Sequence, residues 1–138
     1  MKRMVIFVMG LVLILGMNLD SMNKRDRGDA IAAAEAWLKW VDNGNFGQSW
    51  EKAAPFFKQS LKKGDWEKLL KKIMVPLGPA LKRELIGAKY YSSIPNAPKG
   101  EYIVIQFRSD FKNKKNAVET ITPMKVGGKW LVCGYYIR

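Results

Sequence analysis

The side chains best suited to chemistry in this chain are a few carboxylates and arginines. No histidine is present and Cys133 is the single cysteine. Ser/His and Cys/His catalysis and the usual zinc sites are therefore excluded, and so is an internal disulfide. Acid–base work would fall to Asp42, Glu101, Asp110, Glu119 or a tyrosine, because burial can tune a carboxylate towards catalysis. Glu119 stands out, being mid-strand where one face should be covered. The same spacing suits a surface residue paired with a cation on the next strand. The sequence brings no two of these groups together, so no catalytic role is expected. No phosphate loop or metal-ligand spacing occurs, and nothing points to a cofactor. Cys133, in an apolar segment, reads as a small buried hydrophobe.

Positive charge is the stronger signal. The chain carries 24 Lys and Arg against 12 Asp and Glu, a formal charge of +12. Such a field favours anionic partners. It is densest from Lys58 to Arg83, where eight cations face two acids. Within that stretch Lys68, Lys71 and Lys72 fall opposite an apolar stripe. That pattern makes a basic amphipathic helix suited to an anionic membrane surface, an envelope polymer or an acidic protein. Glu67, four residues before Lys71, fits ordinary helix-surface pairing. Arg83, Arg108 and Arg138 form a second candidate, three guanidinium groups around an anion at the end of a sheet. Tyr90, Tyr91, Tyr102 and Tyr135 could stack on bases, but no nucleic-acid-binding motif accompanies them, and nucleic acid is set aside as a partner.

These residues need elements to position them. With 48% hydrophobic and 12% aromatic residues the composition is that of a folded domain rather than a disordered chain. Lys2 and Arg3 precede an apolar run from Met4 to Leu15, which reads as a secretory signal. The run falls short of the roughly 20 residues a comfortable span needs, and no small-x-small cleavage site follows it. Residues 1–20 are therefore expected to be a signal peptide or, through residues 4–19, a membrane anchor. Either way the body lies outside the cytoplasm, periplasmic, secreted or tethered. A polar linker is expected over 21–28 and a single domain over 29–138.

Ile31, Ala34, Leu38 and Val41 recur at helical spacing, with Trp37 and Trp40 widening the stripe. Asn43-Gly44 ends that helix. A second pattern through Trp50, Phe57 and Leu61 contains Pro55, which should kink or divide it. Gly64-Asp65 opens a third helix, with Trp66, Leu70, Ile73 and Leu77 inward and Pro76, Gly78 and Pro79 stopping it. From Leu81 the period becomes two. Strands are expected over Leu81–Ser92 (broken at Gly87), from Tyr102 through Arg108, over Ala117–Val126 and over Trp130–Ile137, with Gly127-Gly128 as a tight turn. Three helices packed on one face of a four-stranded antiparallel sheet make an α+β roll. Trp37, Trp40, Trp50 and Trp66 could line a pocket, but helical spacing makes them core, with Asp42, Ser49 or Gln48 as acceptors for buried indole N–H groups.

Ala36-Trp37-Leu38, Val41-Asp42, Gly44 and Ser49-Trp50 resemble the opening of the bacterial domain-of-unknown-function family 4019. So do Pro76-Leu77-Gly78, Arg83, Gly100-Glu101-Tyr102, Phe107, Phe111, Asn113-Lys114, Ala117-Val118-Glu119-Thr120 and Gly134-Tyr135-Tyr136-Ile137-Arg138 further on. The resemblance runs from about Ala33 onward and implies export but no activity. The inferred shape is similar to the nuclear transport factor 2-like cone, or to a cystatin-like roll, and fold alone does not fix function. The expectation is an exported, non-catalytic envelope-binding domain. The alternative is a small-molecule pocket module or pocket enzyme on that cone.

Overall fold

The computed structural model describes residues 4–6 and 23–138. Most of the apolar N-terminal run, and the rest of residues 1–20, lie outside the described residues. Among those described, no helix is long and apolar enough to cross a membrane.

Helix α1 spans Lys24–Asp42. It begins earlier than Asp29 because Asn23 caps it, the Oδ1 atom accepting from the Asp26 N–H at 2.7 Å. Residues 24–28, five of the eight in the expected linker, are thereby helical. Ala30, Ala34, Trp37, Leu38 and Val41 form its buried stripe, and Gly44, at φ +76°, supplies the left-handed residue just past its end. The second helical pattern is two elements, α2 (Phe46–Glu51) and α3 (Pro55–Ser60). Pro55 divides rather than kinks it, because its fixed φ suits the first position of a new helix. Four helices are therefore described where three were expected, the last being α4 (Lys63–Leu77). Pro76 sits inside its last turn, and the stop falls at Gly78. A Cβ at Gly78 would meet the Lys112 side chain at 3.0 Å. The close approach lets Asn113 donate from its backbone to the Leu77 carbonyl and from Nδ2 to the Pro76 carbonyl, at 2.9 and 3.0 Å. The last turn of α4 is thus capped from the sheet.

Among the described residues five strands follow the order β1-β5-β4-β3-β2, every neighbouring pair antiparallel. β1 (Met4–Ile6) is an addition to the four expected, and lies against β5 (Lys129–Ile137). The others are β2 (Ala80–Tyr91), β3 (Tyr102–Phe111) and β4 (Lys114–Val126). Gly87 does not break β2, since the chain absorbs the irregularity as a register shift between Leu85 and Gly87. Ile103, Ile105, Phe107, Ile121, Tyr135 and Ile137 face the helices and are buried. A smaller cluster, including Tyr91, Ile94, Tyr102, Met124 and Cys133, packs apart from it. Tyr102 and Ile103 are adjacent and alternate across the sheet, so this cluster covers the other face.

Of the four helical tryptophans, Trp37 and Trp66 belong to the core, Trp50 is half-buried against it, and Trp40 is half-buried outside both clusters. Trp66 is fully buried, and its ring meets Phe57 edge-on at 4.8 Å and Trp37 at 6.2 Å. Ser49 satisfies both inner indoles, its Oγ accepting from Trp66 and its carbonyl from Trp37, each at 2.8 Å.

Candidate functional site

The sheet register assembles one buried polar row beneath the end of α1. Arg83 on β2 lies opposite Ser109 on β3, and Ser109 opposite Ala117 on β4. Glu119, two residues along β4, shares that helix-facing side, as does Tyr135 on β5, which lies opposite Ile121. Glu119 is fully buried. Its Oε1 accepts from Arg83 Nε at 2.7 Å and from Ser109 Oγ at 2.5 Å. Its Oε2 accepts from the Tyr135 hydroxyl and from Arg83 Nη2, the latter at 3.3 Å. From above, Asp42 at the end of α1 grips the same guanidinium bidentately at 2.8 and 3.0 Å. Burial works against the Arg83 charge, but Asp42 and Glu119 outweigh it, and the guanidinium is held above its ordinary range.

What this row can do follows from its donor count. A carboxylate offers about four acceptor positions, and Glu119 receives four donors. Protein donors therefore occupy all of its acceptor positions, and the row ties α1 to four strands. The remaining candidate acids serve turns and strand edges. Asp110 accepts from the Asn116 N–H at 2.9 Å, and Glu101 accepts from the Tyr90 hydroxyl at 3.5 Å. Cys133 is fully buried, and burial pushes its thiol well above the usual range. Among the described residues no three His, Cys, Asp or Glu side chains gather so as to hold a metal ion.

The six binding candidates separate into three places. Lys68, Lys71 and Lys72 are all exposed on the outer face of α4, opposite Trp66, Leu70, Ile73 and Met74. None makes an ion pair among the described residues. The expected Glu67–Lys71 pair does not form, because the Glu67 carboxylate lies over Gly47, where a Cβ would meet it at 2.6 Å. Arg83 belongs to the buried row. Arg108 and Arg138 lie on the opposite face of the sheet, both beside Val118, with Arg108 4.0 Å from Glu84. The strand register therefore does not bring the three arginines around one anion.

Two surface grooves lie near these residues. One, of about 400 Å³, runs between the ends of α1 and α4, with Val41, Phe46, Met74, Val75 and Phe111 among its walls. Asp42 also lines it, already held by Arg83. The other, of about 490 Å³, is bordered by Asn45, Gln48, Lys63, Glu67 and Lys71. Neither is lined by a tryptophan.

The family model described as "Protein of unknown function (DUF4019)" matches residues 33–135. The chain belongs to the DUF4019 family. No curated protein and no solved structure matches. The stretch matched to DUF4019 contains the α4 lysines and every member of the buried row, while Arg138 falls outside it.

In this DUF4019 domain the buried tyrosines predict an alkaline limit to stability. Burial, with the Glu119 charge beside it, holds the Tyr135 phenol well above 10.0. Burial pushes Tyr102 up to about 12. A raised folded pKa for a neutral acid gives stability that is complete below the unfolded value and is lost as pH rises through the folded one. Stability read from urea unfolding should hold steady to about pH 10 and then fall, by roughly 2 kcal/mol for Tyr102 alone by pH 12. Tyr135→Phe should make the fall shallower. A midpoint unchanged to pH 12 would contradict the buried phenols.

Proposed function

We propose that this domain is an exported, non-catalytic binding module of the cell envelope that engages an anionic surface through the outer face of α4. The observation that carries the reading is the exposure of Lys68, Lys71 and Lys72 together, without ion-pair partners, on a helix whose inner face is anchored in the core. Saturation of Glu119 by four donors supports a non-catalytic role. Export rests on Lys2, Arg3 and the apolar run after them, and intact mass after cell fractionation tests it. Cleavage near residue 20 would remove β1 and uncover the edge of β5.

Exposed lysines near an anionic bilayer contribute about 1 kcal/mol each. The triple change Lys68→Gln, Lys71→Gln and Lys72→Gln should therefore weaken association with phosphatidylglycerol vesicles roughly a hundredfold. Raising salt should weaken the wild type steeply, since exposed charges are screened over about 8 Å at physiological ionic strength. Binding that survives both changes sinks the lysine-face reading.

A pocket module on a nuclear transport factor 2-like cone is the alternative. Against it stand Trp37, Trp66, Phe57 and Tyr135, which fill the space between helices and sheet. On that reading the groove between α1 and α4 is a place for a small ligand.

A further inference from the structure

Strand β2 is an edge of the sheet, pairing only with β3 among the described residues. Edge strands expose unpaired backbone groups, and proteins usually blunt them with charge, bulges or cover. Here the edge is apolar as well as charged. Three of the four exposed large apolar side chains among the described residues lie on it, Leu81 at 62%, Leu85 at 38% and Ile86 at 45%. Lys82 and Glu84 alternate with them, both on the sheet face away from the helices, opposite Asp110 and Arg108 of β3.

We propose that β2 pairs antiparallel with β2 of a second copy of this chain, centred on Arg83. The register follows from symmetry and charge. Two antiparallel edge strands that continue one sheet are related by a two-fold axis perpendicular to it, so directly opposite residues share a face. The pairing must then centre on a residue rather than between two. Centring on Glu84 sets two carboxylates opposite each other, and centring on Leu85 sets Glu84 against Ile86 and Lys82 against Ala88. Centring on Arg83 sets Lys82 of each copy against Glu84 of the other, and Leu81 against Leu85. Opposite charges and apolar pairs facing across strands stabilise a sheet, and like charges destabilise it. Arg83 then faces its own symmetry mate, but Asp42 and Glu119 of its own chain neutralise each guanidinium. The register shifts at Ala80/Lys82 and Leu85/Gly87 bracket the regular stretch Lys82–Leu85, which holds the charge-matched Lys82 and Glu84, with Leu81 just outside it.

The same axis places both helix layers on one side of a continuous ten-stranded sheet. Resting on the proposed lysine-face function, the dimer would present two α4 faces to one anionic surface, and two linked contacts hold far more tightly than one.

Sedimentation of the purified protein without lipid tests the pairing independently of surface binding. The wild type is expected to dimerise. Lys82→Glu and Glu84→Lys should each weaken the dimer at least tenfold, because each sets like charges opposite each other twice. The double variant carrying both changes should restore it. An equimolar mixture of the two single variants should form a heterodimer by native mass spectrometry. Both positions are exposed, so folding is retained, and circular dichroism verifies it. A wild type that stays monomeric up to millimolar concentration overturns the proposal, as does a dimer indifferent to these charge changes.

Discussion

Replacing Arg83 by methionine is expected to lower the unfolding free energy by about 3–5 kcal/mol, read as a fall in the urea midpoint. The guanidinium gives two hydrogen bonds to Glu119 and two to Asp42. Removing it leaves a fully buried carboxylate with only Ser109 and Tyr135 as donors. Breaking a buried ion pair from one side costs more than the pair contributes net, because the partner's charge stays desolvated. Arg83→Lys should also be poor, since an ammonium cannot reproduce the fork that spans both carboxylates. The informative partner is the double variant Arg83→Met with Glu119→Gln. The neutral amide keeps an oxygen for one of the two hydroxyls and donates an N–H to the oxygen of the other, and Asp42 is exposed enough for water to serve it. That variant should recover at least half of the loss. A cost under about 1 kcal/mol for Arg83→Met would mean that Glu119 is solvated in practice. Its lone pairs would then be available, and acid–base chemistry at this row would return to consideration.

Why the row could not be read from the chain is a matter of register. Asp42, Arg83, Glu119 and Tyr135 each drew notice separately, but Arg83 is 36 residues from Glu119 and 41 from Asp42. No local pattern links them. The simple succession of β2 to β5 does place their strands side by side. Which residues share a row depends on irregularities between Leu85 and Gly87 and between Ser109 and Phe111. Nothing in the residue types around Ser109 marks the second of these. One signal was present: Glu119 stands between Ala117 and Ile121 on the covered side of its strand, where an unpaired carboxylate would be costly.

Local rules did better where local energetics decide. Alternation in β3 fixed its inward face, and helical spacing assigned Trp37 and Trp66 to the core, whereas Trp40, on the same helix, is only half-buried and lies outside it. Ser49 was among the three acceptors expected for their N–H groups, and it serves two of them. The lysine face of α4 was legible for the same reason, since helical periodicity alone sets inner and outer sides. The expected Glu67–Lys71 pair failed because a tertiary contact at Gly47 competes with surface pairing worth only a few tenths of a kcal/mol. The true start of α1 needed the Asn23 cap. The helix is also held from the sheet at both ends, by Lys125 to Asp26 at 3.2 Å and by Arg83 to Asp42 at 2.8 Å. Such long-range ties escape any window along the sequence.

Trp66→Ala is expected to cost about 3–5 kcal/mol, near the limit a domain of this size can lose and remain folded. The side chain is fully buried, so its removal leaves a cavity bounded by Phe57 and Trp37. The edge-on contact with Phe57 adds to the loss, and Ser49 Oγ loses the donor it accepts from. Trp66→Phe should cost less, about 1–3 kcal/mol, because it keeps most of the volume and gives up mainly the N–H. The comparison bears on function as well as stability. A tryptophan lining a ligand pocket would lose binding on truncation with little change in the urea midpoint. A tryptophan anchoring the core would lose the midpoint first. Trp66 is also the inner anchor of α4, whose outer face carries Lys68, Lys71 and Lys72. Trp66→Phe should therefore lower the midpoint while leaving vesicle binding intact below the transition. The triple lysine variant should do the reverse. If the two effects cannot be separated, the outer face of α4 is not an independent binding surface.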